Sequence, residues 1–138
     1  MREITDHHDG HGLAEKIDIF VLDEPGPGGA NHLYRVDVRL TADPDWTTPQ
    51  YGSVGRLRNT VASVQFQRGP RDEPGSTPGI IDTVLLAIVA DRLRAFQAGP
   101  FACDENGHAL ERVKMAMKFL KHRANERAKR GVLGKSKK

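Results

Sequence analysis

Arginines recur along the last third of this chain at spacings that place them on one flank of a helix: Arg112, Arg123 and Arg130. Arg127 falls between that flank and a stripe of apolar residues at helical spacing. A guanidinium can donate two parallel hydrogen bonds to phosphate oxygens while the aliphatic part of the arginine side chain packs against apolar neighbours. The pattern therefore predicts a site for a phosphorylated ligand. The alternative is a solvated basic face that only keeps the protein in solution.

The uneven distribution of charge also points to an anionic partner. From Arg112 to Lys138 the chain has eleven Lys or Arg and one acid, whereas Met1 to Glu111 has ten Lys or Arg and seventeen acids. The formal charge of +3 thus combines a segment near +10 with one near −7. Concentrated positive charge destabilises a compact fold, and a bound anion relieves the repulsion. A nucleic acid, a small phosphorylated ligand and solvent alone all stay open at this point.

Aromatic and amide side chains before the basic segment could recognise a base. Phe96 and Phe101 flank a Gly-Pro break, and Asn106 follows it. An aromatic ring beside arginines and an amide can sandwich a purine. Taken singly, a Phe at the end of an amphipathic helix usually belongs to a core, and an Asn at a helix start usually caps it.

Residues suited to catalysis or metal binding form no convincing set. His7, His8 and His11 include a spacing of four, but they lie in a glycine-containing segment and no second cluster completes four zinc ligands. The stretch from Gly26 to Gly29 could wrap a phosphate with its amides, yet it lacks the Lys-Ser/Thr ending of a P-loop and fits a turn. We therefore expect no catalytic residue, no metal site and no cofactor.

Three segments of the first half have the composition of strands. Residues 17–22 form a β-branched and aromatic run, residues 32–40 alternate polar and apolar side chains, and residues 60–67 form a third strand. Because no helical spacer separates them, an antiparallel meander is predicted. The polar opening, rich in His and Gly, and residues 41–59 are predicted to be loops.

Two helices joined by a short turn are predicted for the second half. Thr77-Pro78 is a typical helix start, and apolar residues at helical spacing continue to about residue 98, before a Gly-Pro break. A second helix is predicted from about residue 103 to residue 130, with Gly131 as its C-cap. The short connection makes the two helices antiparallel neighbours.

The predicted fold class is therefore α+β, an N-terminal antiparallel β-sheet (residues 1–76) followed by a C-terminal antiparallel two-helix hairpin (residues 77–138) in one compact domain. The hydrophobic fraction of 38% implies a modest core, so we expect an oligomer in which subunits share one. The single cysteine, Cys103, excludes an internal disulfide and fits a reducing compartment. No signal peptide is recognisable, and the longest apolar run is far shorter than the ~20 residues of a membrane span, so a soluble cytosolic protein is expected.

Long stretches of the chain resemble a known family. The runs RLRAFQAGPFACDEN and ALERVKMAMKFLKHRANERAKRGVLG are similar to the helical hairpin shared by two groups of bacteriophage anti-defence proteins, the Thoeris anti-defence protein one family and anti-CBASS protein two. The segments ITDHHDGHGLAEKI, EPGPGGANHLYR and QFQRGPRDEPG resemble the Thoeris anti-defence family alone. The likeness covers nearly the whole chain apart from residues 41–59.

This resemblance implies a ligand-binding function without catalysis. Members of the family bind glycocyclic ADP-ribose, a cyclic ADP-ribose isomer that TIR-domain proteins make on phage infection, and hold the intact signal away from the defence effector. Some also bind CBASS cyclic di- or trinucleotides at separate sites, as hexamers assembled from dimers. For this chain it implies a signal sponge in the cytoplasm of the infected bacterial host. It implies a dimer or hexamer with no enzymatic activity, no cofactor and no membrane or nucleic-acid partner.

The resemblance also implies a set of ligand-binding residues. Phe96 matches the family aromatic that stacks on the base, and Asn106 matches the polar residue after the turn. Arg123 and Arg127 match helix arginines that hold the diphosphate, and Arg71 matches a basic position in the linker after the third strand. An aromatic, an amide and two arginines are expected to meet at one end of the hairpin, around a compact dianion that carries a purine.

One departure from the family concerns the second class of ligand. The family hairpin usually ends in RGVxGT, whereas this chain continues from Arg130 to Gly134 and then Lys135. The family Thr helps to hold cyclic dinucleotides, so Arg130 and Lys135 are the candidate second site for cyclic oligonucleotides. Two other functions stay as alternatives. One is a phage nucleic-acid-binding protein that uses the basic C-terminal helix, and the other is a metal-dependent hydrolase built on the N-terminal histidines.

Overall fold

The computed structural model describes residues 1–39, 58–70 and 73–131 of the chain. It divides into two compact units, Met1–Gln65 and Phe66–Lys138. The first unit contains a four-stranded antiparallel sheet and the second contains two long helices, so the predicted α+β class is confirmed. Most of the predicted loop at residues 41–59 lies outside the described residues, as do Arg71 and Lys135.

The sheet is an antiparallel meander in chain order: β1 (Arg2–Ile4), β2 (Ile17–Val21), β3 (Leu33–Arg39) and β4 (Arg58–Gln65). The last three strands were predicted. The opening predicted as a loop, residues 4–12, contains no helix or strand from residue 5 to residue 11. The sequence did not predict the two short elements that border it: β1, which pairs with β2 through Ile4 and Ile19, and a single helical turn, α1 (Gly12–Glu15). A strand of three residues is too short to show the period of two that identifies strands.

Charged side chains of the sheet pair with one another. Asp18 on β2 lies directly opposite Asp37 on β3, and both are buried, at 3% and 4% exposure. Each carboxylate lies 3.2 Å from the Nε atom of an arginine on β3: Arg39 for the first and Arg35 for the second. Thr60 on β4 donates a hydrogen bond of 2.7 Å to Asp37. These cations and the hydroxyl compensate two like charges that would otherwise destabilise the sheet.

The second unit is dominated by an antiparallel pair of helices, α2 (Asp82–Gln97) and α3 (Asp104–Lys129). The predicted end of α2 and the predicted start of α3 are confirmed, with Ala98 as the C-cap of the first and Cys103 as the N-cap of the second. Gly131 follows the C-cap of α3 with a φ of 70°, a conformation that glycine adopts without strain. At ~1.5 Å per residue, α3 is about 39 Å long.

The predicted start of α2 at Thr77 is wrong. The Thr77 amide donates to the Arg68 carbonyl (2.8 Å), and the Arg68 amide donates to the Thr77 carbonyl (2.9 Å), so both residues are held in extended pairing. The Gly79 amide then donates to the Gln67 side chain (3.2 Å), and the helix begins at Asp82. Backbone pairing within this segment overrides the local Thr-Pro signal.

Apolar residues occupy two faces of α2. Toward α3, Ala90 is fully buried, and the predicted stripe of α3 is half-buried along its length: Leu110, Val113, Met117, Leu120 and Ala124. Large apolar side chains are exposed on the other face of α2 and at its N-cap, Ile81: Val84, Ile88, Val89 and Phe96 on the helix itself. Neither long helix, within the ranges given above, combines the length and the hydropathy that crossing a membrane requires.

Candidate functional site

Phe96 lies in the last turn of α2 with 39% of its surface exposed. Arg92, one turn earlier, holds its guanidinium carbon 5.5 Å from the centre of the Phe96 ring. The stack places a positive charge beside an accessible aromatic surface, a combination that suits a base carrying phosphates. Arg92 is absent from the residues identified by sequence. Its spacing of four from Phe96 on a helix is the signal that would have found it.

The turn between the helices is fixed by Gln97. Its side-chain oxygen accepts the Cys103 amide (3.0 Å), and its side-chain nitrogen donates to the Cys103 carbonyl (2.9 Å). A Cβ atom at Gly107 would lie 3.2 Å from the Gln97 nitrogen, so the glycine leaves room for this clamp. Asn106, half-buried, occupies the first turn of α3 beside it. Gln97 is a second residue that sequence reasoning missed, and no spacing rule singles it out.

The predicted phosphate-binding arginines lie near the other end of α3. Arg127 is 9% exposed, in agreement with a position between the basic flank and the apolar stripe. Arg123 is exposed, and so is Arg130, which is the C-cap of the helix. Cations are also favoured here because the partial negative charge of a helix lies at its C-terminus.

The expectation that these groups meet at one end of the hairpin does not hold within one chain. Seventeen positions separate Asn106 from Arg123 along α3, which corresponds to about 25 Å at ~1.5 Å per residue. That separation exceeds the size of a mononucleotide. The predicted site residues therefore form two groups on one hairpin, which we call candidate half-sites: Phe96 and Asn106 at its turn, and Arg123, Arg127 and Arg130 at its open end.

The N-terminal histidines make contacts inside the sheet unit. His7 Nε2 lies 2.6 Å from the Ile17 carbonyl oxygen, and the rings of His7 and His8 meet edge to face at 4.4 Å. His8 Nδ1 lies 3.6 Å from the Glu15 carboxylate. Over residues 1–39, 58–70 and 73–131, no three His, Cys, Asp or Glu residues converge in a way that could hold a metal ion.

The glycine-rich stretch uses its amides internally. The Gly26 amide donates to the Ala30 carbonyl (2.8 Å), and the Gly29 amide donates to the Gly26 carbonyl (2.9 Å). The neighbouring Asp23 carboxylate accepts the His32 amide at 3.0 Å and brings a negative charge to the loop. The arrangement fits the turn interpretation better than a phosphate cradle.

No protein-family model matches the sequence. The chain is similar to a protein named Thoeris anti-defense 1 from Bacillus phage SBSphiJ7, with 40% identity over 74 residues. The match covers 54% of this chain and 51% of that protein, so the chain spans about half the length of this curated relative. The likeness agrees with the resemblance of this chain to the Thoeris anti-defence family.

Proposed function

We propose that this chain binds and sequesters a cyclic ADP-ribose-type signal, glycocyclic ADP-ribose, in the cytoplasm of an infected bacterium. It would act on the signal of the Thoeris system without degrading it. The observation that carries the proposal is the pair of half-sites on one hairpin. An exposed phenyl ring with a guanidinium against it suits an adenine base, and an arginine cluster suits a diphosphate.

The separation of the half-sites supports a binding site shared between two copies. In an antiparallel pair of hairpins packed through α2, the turn of one copy would lie beside the open end of the other. Phe96 and Asn106 of one copy would then contact the base while Arg123 and Arg127 of the second contact the diphosphate. Arg71 would add a further cation. A dimer is the smallest assembly that satisfies this geometry, and a hexamer built from dimers would repeat it.

Exposed apolar residues on α2 support the same assembly. Ile81, the N-cap of α2, and Ile88 within the helix are each 55% exposed, and Val89 is 43% exposed. Removing apolar surface from water contributes about 25 cal/mol per Å². A second copy packed on this face would therefore stabilise the hairpin and close the shared site at the same time.

A protein that sequesters a signal needs high affinity for it and no catalytic activity. Nanomolar retention needs ~12 kcal/mol. Base stacking contributes ~1–3 kcal/mol, and each hydrogen bond to a charged group contributes about 1.5–3 kcal/mol. One half-site falls short of the total, so both half-sites must engage the same molecule. Arg130 and Lys135 remain the proposed second site for cyclic di- or trinucleotides.

The direct test is to identify what the protein removes from solution. The protein is incubated with extract from cells in which a TIR-domain protein is active, then washed and denatured by heat. Mass spectrometry of the released fraction is expected to show intact glycocyclic ADP-ribose. Release of linear ADP-ribose would show degradation, and release of no nucleotide would reject the function.

A further inference from the structure

A basic groove lies on the flank of α3 opposite to Arg112 and Arg123. It has a cavity volume of about 520 Å³, and it is lined by one residue of α2 and six of α3: Arg94, Lys114, Met117, Lys118, Lys121, His122 and Asn125. We call it the lysine groove. The side chains of Lys121 and Arg123 leave the helix roughly 160° apart, so the groove and the arginine flank lie on different sides of α3. None of the groove residues has a role in the site proposed above.

Positive charge dominates the lysine groove. Four of its seven residues are Lys or Arg and none is acidic. The carboxylate of Glu111 lies 3.4 Å from Lys114 and offsets one of these charges. Among the residues the structure describes, Lys118 and Lys121 have no carboxylate within 4.0 Å. The groove therefore holds a surplus of about three charges, which attracts a multiply charged anion.

The spacing of the cations matches a chain of phosphates. Lys114, Lys118 and Lys121 follow one another at four and three residues, so they share one face of α3. Successive lysines are separated by about 6 Å and about 4.5 Å along the helix axis. Arg94 faces them from α2, and His122 and Asn125 add further polar groups. A linear row of phosphates could thus contact a different cation with each group.

The lining of the lysine groove offers no aromatic surface for a nucleotide base. Met117 is its one apolar residue and it contains no Phe, Tyr or Trp, so it offers no ring for a base to stack on. Single-stranded nucleic acid is usually held by such stacking platforms together with a charged track. A volume near 520 Å³ lies within the ~300–1,000 Å³ of small-molecule sites. These features favour a compact anion over an extended strand.

We propose that the lysine groove binds a linear polyphosphate group, the triphosphate of a nucleotide being the chemical class that fits it. The phosphate oxygens would contact Arg94, Lys114, Lys118 and Lys121, and the base would stay outside. This site is separate from the one proposed for the Thoeris signal and does not depend on that function.

Calorimetric titration with inorganic tripolyphosphate tests the proposal. The double variant Lys118→Glu/Lys121→Glu is expected to lose at least about tenfold in affinity. A matched control, Arg112→Glu/Lys129→Glu, changes the net charge equally at two exposed cations outside the groove and is expected to stay within about threefold of the parent. Circular dichroism checks that both variants keep their helices. Absence of tripolyphosphate binding, or an equal loss in both variants, would overturn the proposal.

Two further titrations identify the source of the phosphates. ATP is expected to bind with an affinity close to that of tripolyphosphate, since the base makes no contact. A ten-nucleotide thymidine oligomer is expected to bind more weakly than either. Tight binding of the oligomer without tripolyphosphate binding would overturn the proposal in favour of a nucleic-acid surface. Depletion of the Thoeris signal is expected to be unchanged in Lys118→Glu/Lys121→Glu, so a failure here is distinguishable from a failure of the proposed function.

Discussion

The sheet unit and the hairpin unit use charge in opposite ways. In the sheet, the buried carboxylates of Asp18 and Asp37 each have an arginine at 3.2 Å, so the charges are compensated by neighbours in the same unit. In the hairpin, α3 carries seven Lys or Arg and one acid from Arg112 to Lys129, and large apolar side chains on α2 face outward. The first unit pairs its buried carboxylates with its own arginines. The second leaves charge and apolar surface for a partner, which is where binding is to be expected.

The difference also predicts how mutations divide between stability and function. Removing one member of a buried ion pair leaves its partner uncompensated and typically costs 3–5 kcal/mol. Removing an exposed cation changes the free energy of unfolding by less than about 1 kcal/mol. The same exposed cation can nevertheless contribute strongly to a ligand, because the contact becomes enclosed when the ligand binds.

The largest expected effect on stability is in the sheet. Asp37→Ala removes the carboxylate that contacts Arg35 and Thr60. We expect a loss of about 3 kcal/mol in the free energy of unfolding, the lower end of the usual range because the Arg35 side chain is 34% exposed. Urea unfolding followed by circular dichroism measures it. Glu111→Ala, which removes the exposed partner of Lys114, is the control and should cost under about 1 kcal/mol. Equal losses would contradict the contrast between the units.

The largest expected effect on binding is at the open end of the hairpin. Arg123→Ala should weaken retention of glycocyclic ADP-ribose roughly 10- to 150-fold, the equivalent of about 1.5–3 kcal/mol for a charge-assisted hydrogen bond. The free energy of unfolding should change little, because Arg123 is exposed. Depletion of the signal from solution, followed by chromatography, measures retention.

Lys129→Ala is the matched control for Arg123→Ala. Lys129 is also exposed near the end of α3 and lies 3.8 Å from Glu126. Its removal should leave retention within about twofold of the parent. Undiminished depletion by Arg123→Ala would refute the assignment of that arginine.

The exposed face of α2 predicts an effect on assembly. Ile88→Glu places a charge where a second copy is proposed to pack, and it should raise the dissociation constant of the oligomer at least about tenfold. Light scattering coupled to size-exclusion chromatography measures the mass of the particle. Ala87→Glu, which adds the same charge at the neighbouring position on a different side of the helix, should leave the mass unchanged. An unaltered mass for Ile88→Glu would show that this face is not the interface.

Sequence patterns predicted most of the fold, because its main elements are long enough to show a period. Residues 32–40 alternate over a full strand, and the apolar stripe of α3 extends from Leu110 to Ala124, about four turns. β1 has three residues, too few for a period of two to appear. The start of α2 was misplaced because a capping signal is local, whereas the pairing of Arg68 with Thr77 depends on residues nine positions apart.

The sequence predicts the residue types of the candidate site but not their arrangement, and the roles of these residues stay predictions. The spacing of Arg123 and Arg127 gives the face of the helix they occupy, and their basic character predicts a phosphate ligand. Their positions in the sequence also fix their distances along the axis of α3 from Asn106, about 25 Å for Arg123 and about 32 Å for Arg127. Periodicity describes faces within one helix and does not describe which copies of a chain come together. The resemblance to known proteins supplied residue roles, and it did not supply their positions in space.

The smallest expected effect concerns the stack of Arg92 on Phe96. Arg92→Ala removes the guanidinium 5.5 Å from the ring centre and keeps the ring. Because an exposed cation–π contact contributes about 0.5–1 kcal/mol, retention of the signal should fall by roughly two- to fivefold. Arg94→Ala, two positions along the same helix and part of the lysine groove, should leave signal retention unchanged. If both variants lose retention equally, the net charge of the hairpin, and not an ordered stack at its turn, would account for binding at that end.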